Sequence, residues 1–206
     1  MRKLVEFQIL DINAQHYGLD FFELMKNAGV RVAEHVIKNT KKSKQIIFLC
    51  GHGNNAGDGY IAANILEKEG FSVTLYSVKK PKTPASLRAL ETYNKEVHNI
   101  NDFKKDTDQS SLVIDCLLGS GIVGIPRPPY AELIDKINQF QNILSVDVPS
   151  GFSTSKAVKP SQTITFHEKK IGMNRENCGD IFVVDVGFSS KVDEMTGPGE
   201  LLLYPD

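Results

Sequence analysis

The stretch Gln45–Gly59, which reads QIIFLCGHGNNAGDG, decides the fold of this chain. It begins with a short apolar run, Ile46–Cys50, and continues into a turn rich in glycine. A continuous apolar run of this kind is typical of a strand that is buried on both faces, as in parallel sheets. Apolar residues at helical spacing follow from Gly57 to Glu69, so the segment predicts a strand, a turn and a helix.

The same alternation of apolar runs and amphipathic segments continues along the chain. Further strands are expected at Phe71–Val78, Leu112–Asp115, Ile143–Asp147, Thr163–Phe166 and Ile181–Val186. Helices are expected within Ile12–Ile37 and at Ala85–Val97 and Tyr130–Phe140. This alternation predicts an α/β fold, a Rossmann-like three-layer α/β/α sandwich with a mostly parallel central sheet. Gly18–Asp20 interrupts the first helical pattern, where Asp20 is a candidate N-cap.

Length, charge and cysteine content exclude several classes of protein. The chain has 206 residues and a formal net charge of -1, whereas a domain that wraps nucleic acid is usually strongly basic. No apolar run approaches the about 18 residues of a membrane-spanning helix. Cys50, Cys116 and Cys178 are far apart and form no CxxC pair, which argues against a zinc site and a disulfide framework. We therefore expect one domain over residues 1–206, cytoplasmic, with neither nucleic acid nor membrane as a partner.

The first strand-end loop, Gly51–Gly59, contains the pattern G-x-G-x-x-A between a strand and a helix. In dinucleotide-binding folds such glycines let the chain turn tightly, and the helix N-terminus offers free N–H groups to phosphate. Asn54 and Asn55 add two side-chain amides. Asp58 puts a carboxylate where phosphate would lie, so it is expected either to cap the helix or to bind a sugar hydroxyl.

Two more predicted strands end in unusual residues. Asp115 closes one strand and is followed by a Gly-Ser-Gly turn within Asp115–Gly124 that could wrap phosphate or simply be a flexible loop. Asp147 closes another and is followed by Pro149 and Gly151, where it could cap the turn or act as an acid–base group whose pKa burial has raised. Because ligands bind outside the carboxyl ends of parallel strands, all three loops should face one crevice.

The residue types narrow the chemistry further. The second predicted strand ends in Lys79 and Lys80, without the acid that would hold a ribose in an NAD-dependent oxidoreductase, which makes that class a poor fit. Asn55, Asp115 and Ser150 offer an amide oxygen, a carboxylate and a hydroxyl. Hard cations take such oxygen ligands, so an alkali ion fits this set better than zinc.

The ordered set of motifs resembles the YjeF N-terminal domain family, the NAD(P)HX epimerases. The NNGGDG stretch of that family corresponds to Asn54–Gly59, with Ala56 in place of a glycine. Its D-x-L-x-G-[ST]-G turn corresponds to Asp115–Gly121, and its D-x-P-S-G motif to Asp147–Gly151. The resemblance covers roughly Gln8 to Phe188 and includes Asp11 and Lys169 or Lys170 as parts of the matching pattern.

This resemblance implies a repair activity, the interconversion of the R and S epimers of hydrated NADH and NADPH (NADHX and NADPHX) for a separate, stereospecific dehydratase. It also implies a homodimer and a potassium ion (K⁺) held by Asn55, Asp115 and Ser150. The residues it implies for nucleotide binding are Asn54, Asn55, Ala56, Gly57, Asp58, Gly119, Ser120, Gly121, Ile122, Val123, Gly124, Ile125 and Asp147.

Asp147 is the candidate catalytic residue, since a carboxyl group there could protonate the departing hydroxyl of the hydrated ring. His52 and His167 are weaker candidates, and Cys116 is expected in the core. The alternative is a non-catalytic module that binds a nucleotide metabolite with the same fold and loops. The tail Leu201–Tyr204 is expected to form an edge strand or a partner contact.

Overall fold

A seven-stranded sheet forms the centre of the structure, a computed structural model that describes residues 1–103, 108–121, 124–194 and 197–203. The strands are β1 (Ile46–Cys50), β2 (Val73–Ser77), β3 (Val97–Asn99), β4 (Leu112–Cys116), β5 (Asn142–Val146), β6 (Gln162–Phe166) and β7 (Asp180–Val184). Their order is β3-β2-β1-β4-β5-β6-β7, and every neighbouring pair is parallel. The predicted α/β class and parallel sheet are confirmed.

Helices cover both faces of this sheet. They are α1 (Leu4–His16), α2 (Phe21–Asn39), α3 (Asn54–Lys68), α4 (Pro84–Thr92), α5 (Tyr130–Ile137), α6 (Arg175–Cys178) and α7 (Ser190–Asp193). Side chains of β1 alternate between two cores because successive residues of a strand point to opposite faces. Phe48 packs in the core that α2, α3 and α4 share, and Leu49 packs in the core that holds α5. None of the described helices has the length and apolar character needed to cross a bilayer.

The strand order reverses between β1 and β4, and this reversal opens a crevice at the carboxyl end of the sheet. The two strands stay close as they leave the sheet, since the Gly51 amide donates to the Cys116 carbonyl at 3.0 Å. A Cβ on Gly51 would lie 1.9 Å from the Leu117 carbonyl oxygen. Only glycine therefore fits where the first loop leaves β1.

The predicted break within Ile12–Ile37 separates α1 from α2. Gly18 has a φ of 82°, a backbone conformation that favours glycine. The Asp20 carboxylate then accepts a hydrogen bond from the Phe22 amide at 2.9 Å, which confirms Asp20 as an N-cap. Gly18 and Asp20 therefore separate α1 from α2 as two distinct helices.

Two predicted elements differ from the structure. The helix expected over Ala85–Val97 ends at Thr92, and Val97 instead starts β3, a strand too short for a periodicity signal. The tail, expected as an edge strand or a partner contact, forms part of a 3₁₀ helix, Pro198–Leu203, rather than a strand, and Tyr204 lies outside the described residues. Proline cannot donate to a strand ladder, and the Gly199 amide in this helix donates to the Asn13 side chain of α1 at 2.8 Å.

We expect Gly51→Ala to lower the free energy of unfolding by about 3 kcal/mol, because the added methyl group meets a backbone oxygen that cannot move aside. Urea unfolding followed by circular dichroism measures this loss. Gly53→Ala in the same loop is the matched control, since no heavy atom lies within 4 Å of its added Cβ. The control should lose no more than about 1 kcal/mol. Equal losses in the two variants would contradict the packing argument.

Candidate active site

A cavity of about 430 Å³ lies at the carboxyl end of the sheet, where the strand order reverses. This volume is typical of a small-molecule site. The described residues that line it include the following members of the predicted nucleotide site: Asn54, Asn55, Asp58, Gly119, Ser120, Gly121 and Asp147. The three strand-end loops therefore meet at one cavity, as the sequence predicts.

The first loop presents the N-terminus of α3 to this cavity. The helix begins at Asn54 with Gly53 as its N-cap, so Asp58 lies one turn inside the helix and is not a cap. The Thr83 hydroxyl donates to the Asn54 Oδ1 at 2.6 Å and holds that side chain at the cavity edge. Ala56 has ordinary helical geometry and is buried in the core, so the alanine causes no backbone strain there.

Asn55 is the next residue of α3, and its side chain is buried and unpaired. Neither its Oδ1 nor its Nδ2 has a hydrogen-bond partner among the residues that the structure describes. A buried amide without partners costs about 1–3 kcal/mol. Asn55 belongs to the cavity lining, so a ligand or ion in the cavity could satisfy these unpaired amide atoms.

Asp115, at the end of β4, has the opposite environment. Its Oδ2 accepts from the Ser145 hydroxyl and the Ser150 amide, each at 2.9 Å. Its Oδ1 accepts from the Ser150 hydroxyl at 2.5 Å and the Leu117 amide at 3.3 Å. Burial raises the pKa of Asp115, and the hydrogen bonds from Ser150, Ser145 and Leu117 oppose that shift. This carboxyl group joins the loop after β4 to the loop after β5.

The second loop brings its glycines to the cavity. A Cβ on Gly119 would lie 3.3 Å from the Asn55 Cβ and 3.9 Å from the Asp147 Oδ2, so Gly119 lies between these two side chains. Gly124 and Ile125 are exposed and lie outside the cavity lining. Ile122 and Val123 are outside the described residues, so their predicted role stays a prediction.

Asp147 occupies a strained position directly after β5. Its φ is 67°, in the left-handed region that non-glycine residues seldom adopt. The Val148 amide donates to the Val146 carbonyl at 2.9 Å, so Asp147 is the centre of a three-residue turn. Such a conformation costs about 1–3 kcal/mol and is found most often at functional sites.

A buried lysine, Lys170, is paired with this carboxyl group. Its Nζ lies 2.6 Å from the Asp147 Oδ1 and also donates to the Thr165 hydroxyl at 2.7 Å and the Phe166 carbonyl at 3.1 Å. The same ammonium group lies 4.2 Å from the centre of the Phe7 ring. Lys170 therefore binds one carboxylate oxygen of Asp147, while the other oxygen faces Gly119.

Two further carboxyl groups share the cavity with this ion pair. Burial, and then the charge of Asp147, raise the pKa of Asp11 to about 7, while Lys170 opposes the rise. Burial, and then the charges of Asp147 and Asp11, raise the pKa of Asp58 well above its ordinary value. Burial in the cavity therefore favours the neutral forms of Asp11 and Asp58, which lie beside the ion pair of Lys170 and Asp147.

Sequence reasoning missed the functional placement of Asp11 and Lys170, which it registered only as parts of a family pattern. Lys170 could have been found by applying the strand-end rule to β6, after which it follows within four residues. His52 lines the cavity, and its Nδ1 lies 2.5 Å from the Tyr130 hydroxyl. Burial, followed by the charges of Lys82 and Lys79, lowers the pKa of His52, so its ring is neutral at pH 7.

Comparison with known proteins finds relatives over nearly the whole chain. The sequence profile of the family described as YjeF-related protein N-terminus matches residues 22–172. A bifunctional NAD(P)H-hydrate repair enzyme Nnr of Archaeoglobus fulgidus is 38% identical over 204 residues, which cover 95% of this chain and 43% of that protein. An NAD(P)H-hydrate epimerase of Legionella pneumophila is 28% identical over 211 residues, which cover 94% of this chain and 76% of that protein.

A solved structure shares the fold. The crystal structure of yeast ynu0, YNL200c, superposes with a TM-score of 0.69 at 21% identity and covers 82% of each chain. The chain spans 43% of the length of the Archaeoglobus fulgidus relative, so the remainder of that protein has no counterpart in these 206 residues.

The raised pKa of Asp11 makes the folded protein less stable as pH rises. Its pKa is about 7 in the folded chain against an ordinary value of 3.8. Between these values the folded chain holds a proton that the unfolded chain has released, so the free energy of unfolding falls as pH rises. We expect Asp11→Asn to remove this part of the fall, measured by urea unfolding at a series of pH values.

Glu6→Gln is the matched control, because it removes a negative charge from the same helix outside the cavity. The control should keep the fall of the unchanged protein. Part of the fall will also remain in Asp11→Asn, since the pKa values of Asp58 and Asp115 are raised too. Identical pH dependence in Asp11→Asn and the unchanged chain would show that Asp11 holds no proton near neutral pH.

Proposed function

Because the chain belongs to the family of YjeF-related protein N-termini, we propose that it interconverts the R and S epimers of hydrated NADH and NADPH. Hydration of the nicotinamide ring produces both epimers, and a stereospecific dehydratase restores only one of them. An epimerase therefore allows both epimers of the hydrated cofactor to be restored by the same dehydratase. The relatives named as repair enzymes or epimerases support this assignment.

One observation carries the proposal, namely that the three strand-end loops meet at one cavity with Gly119 between Asn55 and Asp147. The free N–H groups of α3 and the glycine turn after β4 suit the two phosphates of a dinucleotide. Asp147 lines the same cavity, and we propose that the nicotinamide ring lies beside it. The residues proposed to hold the nucleotide are those of the predicted set that line the cavity, namely Asn54, Asn55, Asp58, Gly119, Ser120, Gly121 and Asp147.

Asp147 is the proposed proton-transfer group. Epimerisation breaks and remakes the bond between the ring carbon and its hydroxyl oxygen, and the lone pair of the ring nitrogen stabilises the cation between these steps. The Lys170 ammonium lies 2.6 Å from one carboxylate oxygen of Asp147, and the other oxygen faces Gly119. Asp147 is therefore suited to take the proton from the water that returns to the ring.

We propose that K⁺ is held by Asn55, Asp115 and Ser150. The buried Asn55 Oδ1 has no partner among the described residues and is free to coordinate a cation. The Asp115 carboxylate supplies negative charge, and the Ser150 hydroxyl keeps one lone pair after its bonds to Asp115 and the Leu118 amide. Oxygen donors of this kind suit a hard cation. When bound, the ion supplies positive charge beside the nucleotide phosphates.

The proposed partners follow from the same assignment. The bifunctional name of the Archaeoglobus fulgidus relative supports a dehydratase as the enzyme that consumes the product. We also propose a homodimer, on the family resemblance, and a reducing cytoplasmic location, in which the free thiols of Cys50, Cys116 and Cys178 are stable. The alternative of a non-catalytic nucleotide-binding module is disfavoured because the named relatives are enzymes.

Purified protein should change the epimer ratio of chemically hydrated NADPH when the ratio is followed by chromatography. Asp147→Asn should slow this change by about 10²–10⁴-fold, because the amide cannot accept a proton. The variant should still bind the nucleotide, and asparagine tolerates the positive φ of this position. Asp102→Asn, an exposed substitution outside the cavity, is the control and should retain full activity.

Two results would contradict this assignment. Binding of hydrated NADPH without any change in the epimer ratio would support the non-catalytic module. Full activity in Asp147→Asn would leave the function standing but remove Asp147 from the reaction.

K⁺ should raise the thermal stability of the unchanged protein relative to tetramethylammonium at equal ionic strength. The gain is about 1.4 kcal/mol when the K⁺ concentration is ~10 times its Kd. Asn55→Ala should abolish the gain, because it removes the free amide oxygen. Asn54→Ala, which changes the exposed neighbour, is the matched control and should keep it. An equal response to K⁺ in both variants would rule out Asn55 as a ligand.

A further inference from the structure

Epimerisation makes two separate demands on proton transfer. The hydroxyl group must receive a proton as it leaves one face of the ring, and water must lose a proton as it adds to the opposite face. Asp147 is held by Lys170 on one side of the cavity. A second proton-transfer group on another side of the cavity would carry out the other proton transfer.

The N-terminal helix α1 supplies that side of the cavity. Phe7 and Asp11 are four residues apart and so share one face of the helix. Both line the cavity together with Gln8. The Phe7 ring lies under the Lys170 ammonium group, which brings the Asp11 side of α1 to the same cation that holds Asp147.

The chain start fixes α1 in this position. The Arg2 amide donates to the Lys169 carbonyl at 3.2 Å, and the Ile171 amide donates to the Arg2 carbonyl at 2.8 Å. The Arg2 guanidinium group also donates to the Glu168 carboxylate at 3.1 Å. The residues on either side of Lys170 are thus bonded to Arg2, two positions before the start of α1, so α1 and the segment that carries Lys170 are held together at one point.

Asp11 differs from the buried carboxyl group of Asp115 in its hydrogen bonding. Asp115 accepts four hydrogen bonds, whereas no described residue donates one to the Asp11 carboxyl group. The titratable groups that act on Asp11 are Asp147 after β5 and Lys170 after β6, and Asp58 of α3 lies in the same cavity. Helix α2 contributes apolar residues to the cavity lining, namely Phe21, Leu24, Met25 and Ala28.

We propose that Asp11 is the second proton-transfer group of this site, donating a proton to the departing hydroxyl while Asp147 accepts one from the returning water. The inference rests on the proposed epimerase function and assigns its two half-reactions to two carboxyl groups.

The step is balanced in atoms and charge. The carbon–oxygen bond breaks with its electron pair on oxygen, which takes the Asp11 proton and leaves as water. The nitrogen lone pair forms a carbon–nitrogen double bond, giving an iminium ion. A solvent water then forms a new carbon–oxygen bond on the opposite face, the double-bond electrons return to nitrogen, and Asp147 takes the excess proton. The opposite epimer reacts by the same steps in reverse.

Asp58 is the other cavity carboxyl group whose pKa burial raises, and it is less suited to this role. It lies one turn inside α3 and is 8% exposed, so a substrate has little access to it. A group that titrates close to neutral pH is the more efficient acid catalyst, and the pKa of Asp11 is about 7.

This assignment gives the reaction a defined pH dependence. Interconversion requires one proton on the pair Asp11 and Asp147, so its rate should fall above about pH 7 as Asp11 loses that proton. The fall should have the same midpoint in both directions, because R-to-S and S-to-R conversion use the same pair.

The test measures the rate of epimer interconversion in hydrated NADPH across pH for the unchanged chain, Asp11→Asn, Asp11→Glu and Glu6→Gln. We expect Asp11→Asn to lower kcat by about 10²–10⁴-fold below neutral pH and to remove the fall above it. Asp11→Glu should recover part of the rate and restore the fall. Glu6→Gln removes a charge from the same helix outside the cavity and should match the unchanged chain.

The outcomes separate the two proposals. An unchanged chain that never alters the epimer ratio overturns the epimerase function and this inference together. An active unchanged chain with full activity in Asp11→Asn overturns the inference alone. A rate that drops equally at all pH values in Asp11→Asn, with the fall retained, assigns Asp11 a positioning role and also overturns it. Unfolding curves of Asp11→Asn establish that the variant is folded at each pH.

Discussion

The buried carboxyl group of Asp115 is the constraint on which the site depends. Four hydrogen bonds tie it to β5 and to the turns after β4 and β5. Because both turns are bonded to one buried group, Gly119 and Asp147 cannot shift independently of each other. The glycine at position 51 extends this constraint to β1, since the loop after that strand touches the Leu117 carbonyl oxygen. The loops after β1, β4 and β5 are thereby linked by buried contacts, and together they form the rim of the cavity.

Within that rim, a single ammonium group sets the charge of the cavity. Lys170 is 1% exposed and is surrounded by Asp147, the Thr165 hydroxyl and the Phe166 carbonyl. It neutralises the one carboxylate it touches and leaves Asp11 and Asp58 without an equal partner. Burial then favours the neutral form of both groups. The same cavity therefore contains a carboxylate–ammonium ion pair and two carboxyl groups whose neutral forms are favoured by burial.

The sequence predicted the sheet and its loops because both produce local signals. Apolar runs mark buried strands, and turns that contain glycine follow β1, β4 and β5, with Asp115 and Asp147 at the ends of the last two. The side of the cavity formed by α1 has no such signal, because tertiary contacts decide where that helix lies. Asp11 could be recognised only as part of a family pattern, and Lys170 is in a loop without a distinctive composition. The periodicity of α3 also placed its start at Gly57 when the helix begins at Asn54, which is why Asp58 looked like a cap.

The contact between Arg2 and the segment around Lys170 has a consequence for folding during synthesis on the ribosome. The Arg2 and Glu168 side chains that meet there are separated by 166 positions, and closing so long a loop carries an entropic cost before the contact forms. Synthesis proceeds from the N-terminus, so α1 emerges early and must wait for β6 and its following loop before it can dock. In a nascent chain the turns after β1, β4 and β5 consequently emerge before α1 can dock with Asp11, and partial translation products lack a complete cavity.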